Sequence, residues 1–460
     1  MQTRLWPDRR TPQSPDFRLG ISETARPVAA LAAVLLAAAL APPPAHAVIC
    51  AADAVPAATL LLPYFEVDLD HPNGLTTLFS IDNASATAVL AHATVWSDLA
   101  VPVFSFNVYL TGYDVQSLNL RDLLVDGTLP RTATNGQDPL DAISPKGSGS
   151  QDINFASCGG LLPPPPLPPD FLSYLQNALT GLPSQLAKGL CLGRFLGDRI
   201  ARGYVTVDTV NNCTLRNPGE TGYFTGLPTD PLPIPADVTD QNVLWGAWYI
   251  VDSAHDFAQG STLVAIEASA GNPATSTAGR YTFYGRLVGW TGADHREPLA
   301  TNFAVPFAVG AAFEGAADLI VWRDPKVVQA PFPCQAPLGT VTTDSWYPLG
   351  QEAVAIVNEE EDLETPAVVP IFPQPPPFVP LAAATQRVRL GGSDFPLPFA
   401  FGWLDLDLNL NLRGVDSNPV SDPAARQAWV LAVQSSNGHF ATAADAFRLD
   451  SACAPIHPQL

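Results

Sequence analysis

Trp403-Leu404-Asp405-Leu406-Asp407-Leu408-Asn409-Leu410-Asn411-Leu412-Arg413 is a run in which leucine and a polar residue alternate. Successive side chains of a β-strand point to opposite faces, so the five leucines fall on one face and Asp405, Asp407, Asn409, Asn411 and Arg413 on the other. A helix would scatter the same leucines around its circumference. The run therefore predicts a strand with one face on a core and one in water, the pattern of an antiparallel sheet. Its charged face also opposes edge pairing with other chains.

The same period of two recurs elsewhere. Phe104, Phe106, Val108 and Leu110 alternate with Ser105, Asn107 and Tyr109, and Val89, Ala91, Ala93 and Val95 flank His92 and Thr94. Turn sequences separate these runs: His71-Pro72-Asn73-Gly74, Asp82-Asn83-Ala84-Ser85 and Val125-Asp126-Gly127. Further strands are expected at 204–210, 243–251, 262–268, 281–290 and 318–322, and residues 366–380, rich in proline, read as a long connection. Short strands at this spacing predict a mainly β chain of two antiparallel β-sandwich-like units, residues 48–130 and 201–460.

Residues 131–200 break the rhythm and read as a Pro-rich insert. Leu161-Leu162-Pro163-Pro164-Pro165-Pro166-Leu167-Pro168-Pro169 is expected to be extended polyproline II, a stiff connector. Asp170 is the expected N-cap of one short helix, with Leu172, Leu175 and Leu179 on one face and Gly181 ending it.

The first 47 residues have the order of a secretory signal. Arg4, Arg9, Arg10, Arg18 and Arg26 precede an uncharged run from Val28 to Ala41, and Ala45-His46-Ala47 supplies a small-residue cleavage site. That run has 14 residues, where a membrane span needs about 20. Export by a cleaved signal, to the periplasm or the outside of the cell, is the expectation. Ile49 before Cys50 argues against a lipid anchor, and no later segment has spanning length, so no membrane insertion is expected.

Loss of residues 1–47 would take the formal charge from −21 to −23. So acidic a chain repels nucleic acid and anionic membranes, which are excluded as partners. The hydrophobic fraction of 47% permits a large core, and 47 prolines suit many rigid connections between strands. Six cysteines, Cys50, Cys158, Cys191, Cys213, Cys334 and Cys453, in an exported chain read as three disulfides. No C-x-x-C pair and no suitably spaced histidine supports a metal site instead. Cys158 and Cys191 flank the insert and are the expected local bridge, which leaves Cys213 with Cys334 and Cys50 with Cys453.

Candidate chemistry is sparse. Glu66, Asp68, Asp70 and Asn73 are closely spaced oxygen donors of the kind Ca²⁺ takes, but Gly74 falls one position late for an EF-hand loop. Calcium is thus the single cofactor entertained, a polar turn at a strand end being the simpler reading. Asn358 to Glu364, with five acids, reads as a solvated loop. The G-x-S-x-G, H-E-x-x-H, Walker A and G-x-G-x-x-G patterns are absent, so no catalytic residue is assigned. His92, on an alternating strand, reads as a structural hydrogen-bonding group. Trp96, Trp290 and Trp322 could form a sugar-stacking platform, but in a sandwich they read first as core plugs.

Five stretches carry a resemblance: Leu61–Leu69 (LLPYFEVDL), Leu90–Val103 (LAHATVWSDLAVPV), Val108–Leu124 (VYLTGYDVQSLNLRDLL), Arg296–Ala304 (REPLATNFA) and Asp318–Pro325 (DLIVWRDP). They resemble a group of uncharacterised exported proteins of Gram-negative bacteria. The resemblance implies one shared architecture and no known activity. The expectation is a non-enzymatic secreted or cell-surface protein acting in adhesion, matrix or envelope structure. Its rival is a secreted protein that binds or cleaves carbohydrate.

Overall fold

A computed structural model describes residues 55–130, 155–228, 235–255, 257–276, 282–288, 293–310, 314–325, 330–334, 354–364, 383–392, 395–408, 427–436 and 440–449. The chain is mainly β, and its described strands form four antiparallel sheets, all within Ile49–Leu460. The first sheet has the order β10 (Val264–Ile266), β1 (Thr59–Asp68), β6 (Ile200–Val210), β3 (Val89–Ser97), β4 (Pro102–Leu110). The second runs β5 (Val115–Asn119), β2 (Thr76–Asn83), β8 (Ala247–Asp252), β9 (Phe257–Thr262), with β7 (Leu244–Trp245) also on β2. The third runs β15 (Thr385–Leu390), β12 (Gly315–Arg323), β17 (Ala428–Ser436), β18 (Phe440–Asp445). The fourth runs β14 (Leu363–Glu364), β13 (Val354–Val357), β16 (Phe401–Asp407), β11 (Asn302–Ala308), β19 (Phe447–Arg448).

The sheets pack as two sandwich-like pairs. Leu60, Leu62, Val95 and Phe106 of the first sheet share a core with Phe79, Ile81, Trp248 and Ile250 of the second. Phe303, Val305, Leu404 and Leu406 of the fourth share another with Leu319, Val321 and Val430 of the third. Strands from both sides of residue 200 enter the first pair, since β6 lies between β1 and β3 and β10 pairs with β1.

The central strands of the third sheet, β12 and β17, are covered on both faces. Leu319 and Val321 of β12 face the fourth sheet, whereas Ile320 joins the first core and Trp322 packs with Trp96 and Tyr204. A strand covered on both faces loses the polar alternation of a half-exposed one. Pro63 interrupts β1 and the register to β6 shifts between Leu62 and Phe65. Proline has no amide to donate, so a bulge is where a strand accommodates it, and the freed Pro63 carbonyl accepts the Thr385 hydroxyl of β15.

The leucine run behaves as expected over its described part: Leu404, Leu406 and Leu408 are buried and Asp405 is exposed. The insert contains α2 (Pro169–Thr180), which Gly181 closes in the left-handed conformation, φ 71°. Its N-cap is Pro168, with no side-chain cap; Asp170 sits inside the first turn, because proline at the first helical position already fixes the entry angle. An unanticipated helix, α1 (Leu120–Leu124), follows β5, where Asn119 caps the Arg121 amide and Leu120, Leu123 and Leu124 are buried.

Two further expectations are corrected. Residues 282–288, expected within a strand at 281–290, form a turn and the short helix Gly285–Val288. The β-forming aromatics Phe283 and Tyr284 fill the core from this turn instead of a ladder. The disulfides join Cys158 to Cys213 and Cys191 to Cys334, not Cys158 to Cys191 or Cys213 to Cys334. Folding directs both ends of the insert outward: the Ser157 hydroxyl accepts the Cys213 amide at 2.8 Å, and Cys191 makes a two-way backbone bridge with Phe332. Cys50, Cys453 and Trp290 lie outside the described residues. No helix among the described residues is long and apolar enough to cross a membrane.

Candidate functional site

The calcium candidates point in separate directions. Glu66 is buried on β1, where Tyr64 donates to it at 2.8 Å and Arg202 at 3.3 Å, with Arg387 at 3.5 Å. Asp68 folds back on its own turn: Oδ1 accepts the amides of Asp70 and His71, and Oδ2 lies 2.8 Å from the His71 ring. Partial burial works against its charge, but these hydrogen bonds win and hold its carboxyl below the ordinary value. Asp70 faces Arg199 at 3.5 Å, and Asn73 is exposed. Among the described residues no three His, Cys, Asp or Glu side chains converge as metal ligands.

His92 is wholly buried on β3, and its Nδ1 lies 3.1 Å from Asn107 Oδ1. That oxygen also accepts the Thr214 amide, and Asn107 Nδ2 donates to the Thr214 carbonyl at 2.9 Å. The amide orientation is therefore fixed, and Nδ1 carries the proton it donates. Trp96 and Trp322 are core plugs, 2% and 1% exposed. Trp96 donates to Thr206 at 2.9 Å.

Two buried arginine and carboxylate networks form the most polar part of the interior. In the first, Arg296, Asp208 and Asp294 are all 0% exposed. Asp208, on β6, accepts from Thr59 and Tyr223 at 2.5 Å each and from Tyr284 at 3.0 Å. Arg296 donates from Nε to Thr59 Oγ1 and from Nη2 to the Thr239 carbonyl at 3.0 Å, and its Nη1 lies 3.5 Å from Asp294. Its guanidinium also lies 5.6 Å from the Phe224 ring centre, within cation–π range. Burial raises the Tyr223 and Tyr284 hydroxyls well above the ordinary value, and the Asp208 charge adds to this, so both remain proton donors. Burial likewise raises Asp294, against the pull of Arg296.

In the second network Arg286 donates to Asp324 at 2.6 Å, and Gln427 bridges Asp324 to the carbonyls of Thr282 and Phe283. Nearer the surface, Arg387 joins Asp318 of β12 to Glu66 of β1, and Arg194 binds Asp98 at 2.6 Å. Each link ties two segments distant in sequence. An ion removed from water is costly unless paired, and these arginines and carboxylates are paired with one another. At full burial Arg296 and Asp208 reach no solvent; their network ties β1 and β6 to the segments that carry Tyr223, Tyr284 and Arg296, while Arg387 ties the third sheet to the first.

These networks escaped the sequence reading, because no spacing rule links Thr59, Asp208 and Arg296. One signal was present: Glu66, His92, Asp98, Arg296, Asp318 and Asp324 are charged or titratable residues set in apolar strings. No protein-family model, curated protein or solved structure matches the chain.

Proposed function

We propose that this is an exported, non-enzymatic protein that acts through its surface, in adhesion, matrix or envelope structure. The observation that carries this reading is that the acid–base constellation of Asp208 with Arg296, Tyr223 and Tyr284 is fully buried and engaged in tying β6 to segments outside its sheet. Two disulfides suit an oxidising compartment, and the signal-like residues 1–47 suit delivery to one. The resemblance to uncharacterised exported proteins of Gram-negative bacteria points the same way.

Expression in a Gram-negative host, followed by fractionation and N-terminal sequencing, tests the export half. The expected product lies outside the cytoplasm, begins at Val48 and has no free thiol; a cytoplasmic, uncleaved product overturns it. Attachment of cells to surfaces coated with the purified protein tests the adhesive half, which a surface no stickier than an albumin coat would overturn.

A carbohydrate-binding reading rests on a different observation. Tyr249, 52% exposed, lies across Gly260, where an added Cβ would sit 2.3 Å from the ring, and Trp245 is exposed on the same strand path. A flat, exposed aromatic ring suits stacking on a sugar. Retardation by polysaccharide in native gels, abolished by Tyr249→Ala, supports this reading; unchanged mobility rejects it.

A further inference from the structure

The outer face of the fourth sheet carries an apolar strip. Phe401 and Trp403 of β16 alternate with buried Gly402 and Leu404, yet are 42% and 41% exposed. Trp403 sits opposite Pro306 of β11 and Val357 of β13, and Phe447 of β19 sits opposite Ala304. Because Ala304 and Pro306 are compact, the rings of Trp403 and Phe447 meet above β11, with centroids 5.6 Å apart. Leu363, 61% exposed and paired with Val357, carries the strip to the sheet edge.

Acids border this strip. Asp405 lies on the same face of β16, and the turn between β13 and β14 presents Glu359, Glu360, Glu361 and Asp362, all exposed. Asn358 shapes that turn: its Oδ1 accepts the amides of Glu360 at 3.0 Å and Asp362 at 2.8 Å, and its Nδ2 donates to the Asp362 carboxylate at 3.0 Å. The Arg448 guanidinium lies 4.9 Å from the Trp429 ring centre.

Three occupants can be compared. A second copy of this chain would bring the same acids and a strongly negative net charge, −21 for the full sequence and −23 without residues 1–47, which opposes self-association. A polysaccharide prefers coplanar rings, whereas Trp403 and Phe447 are tilted by 51°. A basic, amphipathic polypeptide satisfies both features: its apolar side chains fill the angle between the rings, and its cations meet the acidic border. We propose that this sheet face docks a polypeptide in which Lys or Arg alternates with apolar residues, a proposal that rests on the reading that the protein acts through its surface.

The test is titration of the intact, oxidised protein with a synthetic peptide of alternating Lys and Leu, followed by tryptophan emission and calorimetry. Saturable binding is expected, weakening with added salt as surface charges are screened. Trp403→Ala should weaken it at least about tenfold, as loss of a central aromatic anchor does, and Asp405→Asn should weaken it and flatten the salt dependence. Phe447→Ser repeats the first test from the opposite strand if Trp403→Ala fails to fold. No saturable binding, equal binding of a Glu–Leu peptide, or binding unchanged in these variants overturns the proposal. So does a neutral glucan oligomer that binds the same face in a Trp403-dependent way. A cytoplasmic, uncleaved product would overturn export and leave this titration unaffected.

Discussion

Arg286 donates from Nη1 to Oδ1 of Asp324 across 2.6 Å, with their side chains 3% and 0% exposed. The two come from segments 38 residues apart, and Gln427 closes the cluster from a third. A buried ion left without its partner costs more than the pair contributes.

Asp324→Leu alone should therefore destabilise the protein by about 3–5 kcal/mol. The double variant Arg286→Met with Asp324→Leu should recover a large part of that loss, because neither charge then remains buried. Urea unfolding of the four proteins of the cycle gives the coupling; purely additive losses would refute it.

The two disulfides close stretches of 55 and 143 residues. Removing either by paired Cys→Ala substitution should cost about 2–5 kcal/mol, with the Cys191–Cys334 pair the more costly because its loop is longer. Non-reducing peptide mapping should recover Cys158 linked to Cys213; a Cys158–Cys191 peptide would contradict the fold.

Burial pushes the His92 imidazole below its ordinary value of 6.5, and the Asn107 hydrogen bond offsets only part of this. As pH falls through 6.5 the unfolded chain takes up a proton that the folded chain refuses, so stability falls on the acid side. In His92→Gln the loss of stability between neutral pH and about 5.5 should be smaller than in the parent. Unfolding free energies across that window check this, and an unchanged slope would show that His92 is accessible.

Gly181 has φ 71°, and a Cβ there would lie 2.2 Å from the Arg194 carbonyl carbon. Gly181→Ala should cost about 1–3 kcal/mol from the backbone alone, with the Arg194 overlap adding to it. A thermal melt within about a degree of the parent, less than ~0.5 kcal/mol would produce, would contradict this close approach.

The strands were legible in the sequence because a half-buried strand writes its two faces as alternation. The runs around Val89, Phe104 and Leu404 lie in strands for that reason. Sheet order was not legible: nothing in Ile200–Val210 says that it will lie between β1 and β3. The pattern also cannot tell a wet polar face from one that another layer covers. Tyr204, Thr206 and Asp208 alternate with valines as if facing water, yet all three are buried. Asp208 could be identified as part of a network only when Thr59, Tyr223, Tyr284 and Arg296 arrived from four distant segments. The strip on the fourth sheet was half legible: Trp403 stood at the head of the leucine run, but its neighbour Phe447 is set by the pairing of β19.

The two disulfides interlock, because Cys191 lies inside the loop closed by Cys158 and Cys213, and Cys213 lies inside the loop closed by Cys191 and Cys334. If the chain is pulled between Cys158 and Cys334, tension entering at Cys158 crosses to Cys213, returns to Cys191 and crosses to Cys334. The helix of the insert and all strands from β7 to β12 stand outside that path, while β6 lies within it. β6 is paired along its length with β1 and β3, so pulling loads a strand gripped on both sides in shear. A surface protein built this way would resist traction at one central strand and keep most of the enclosed chain from extending.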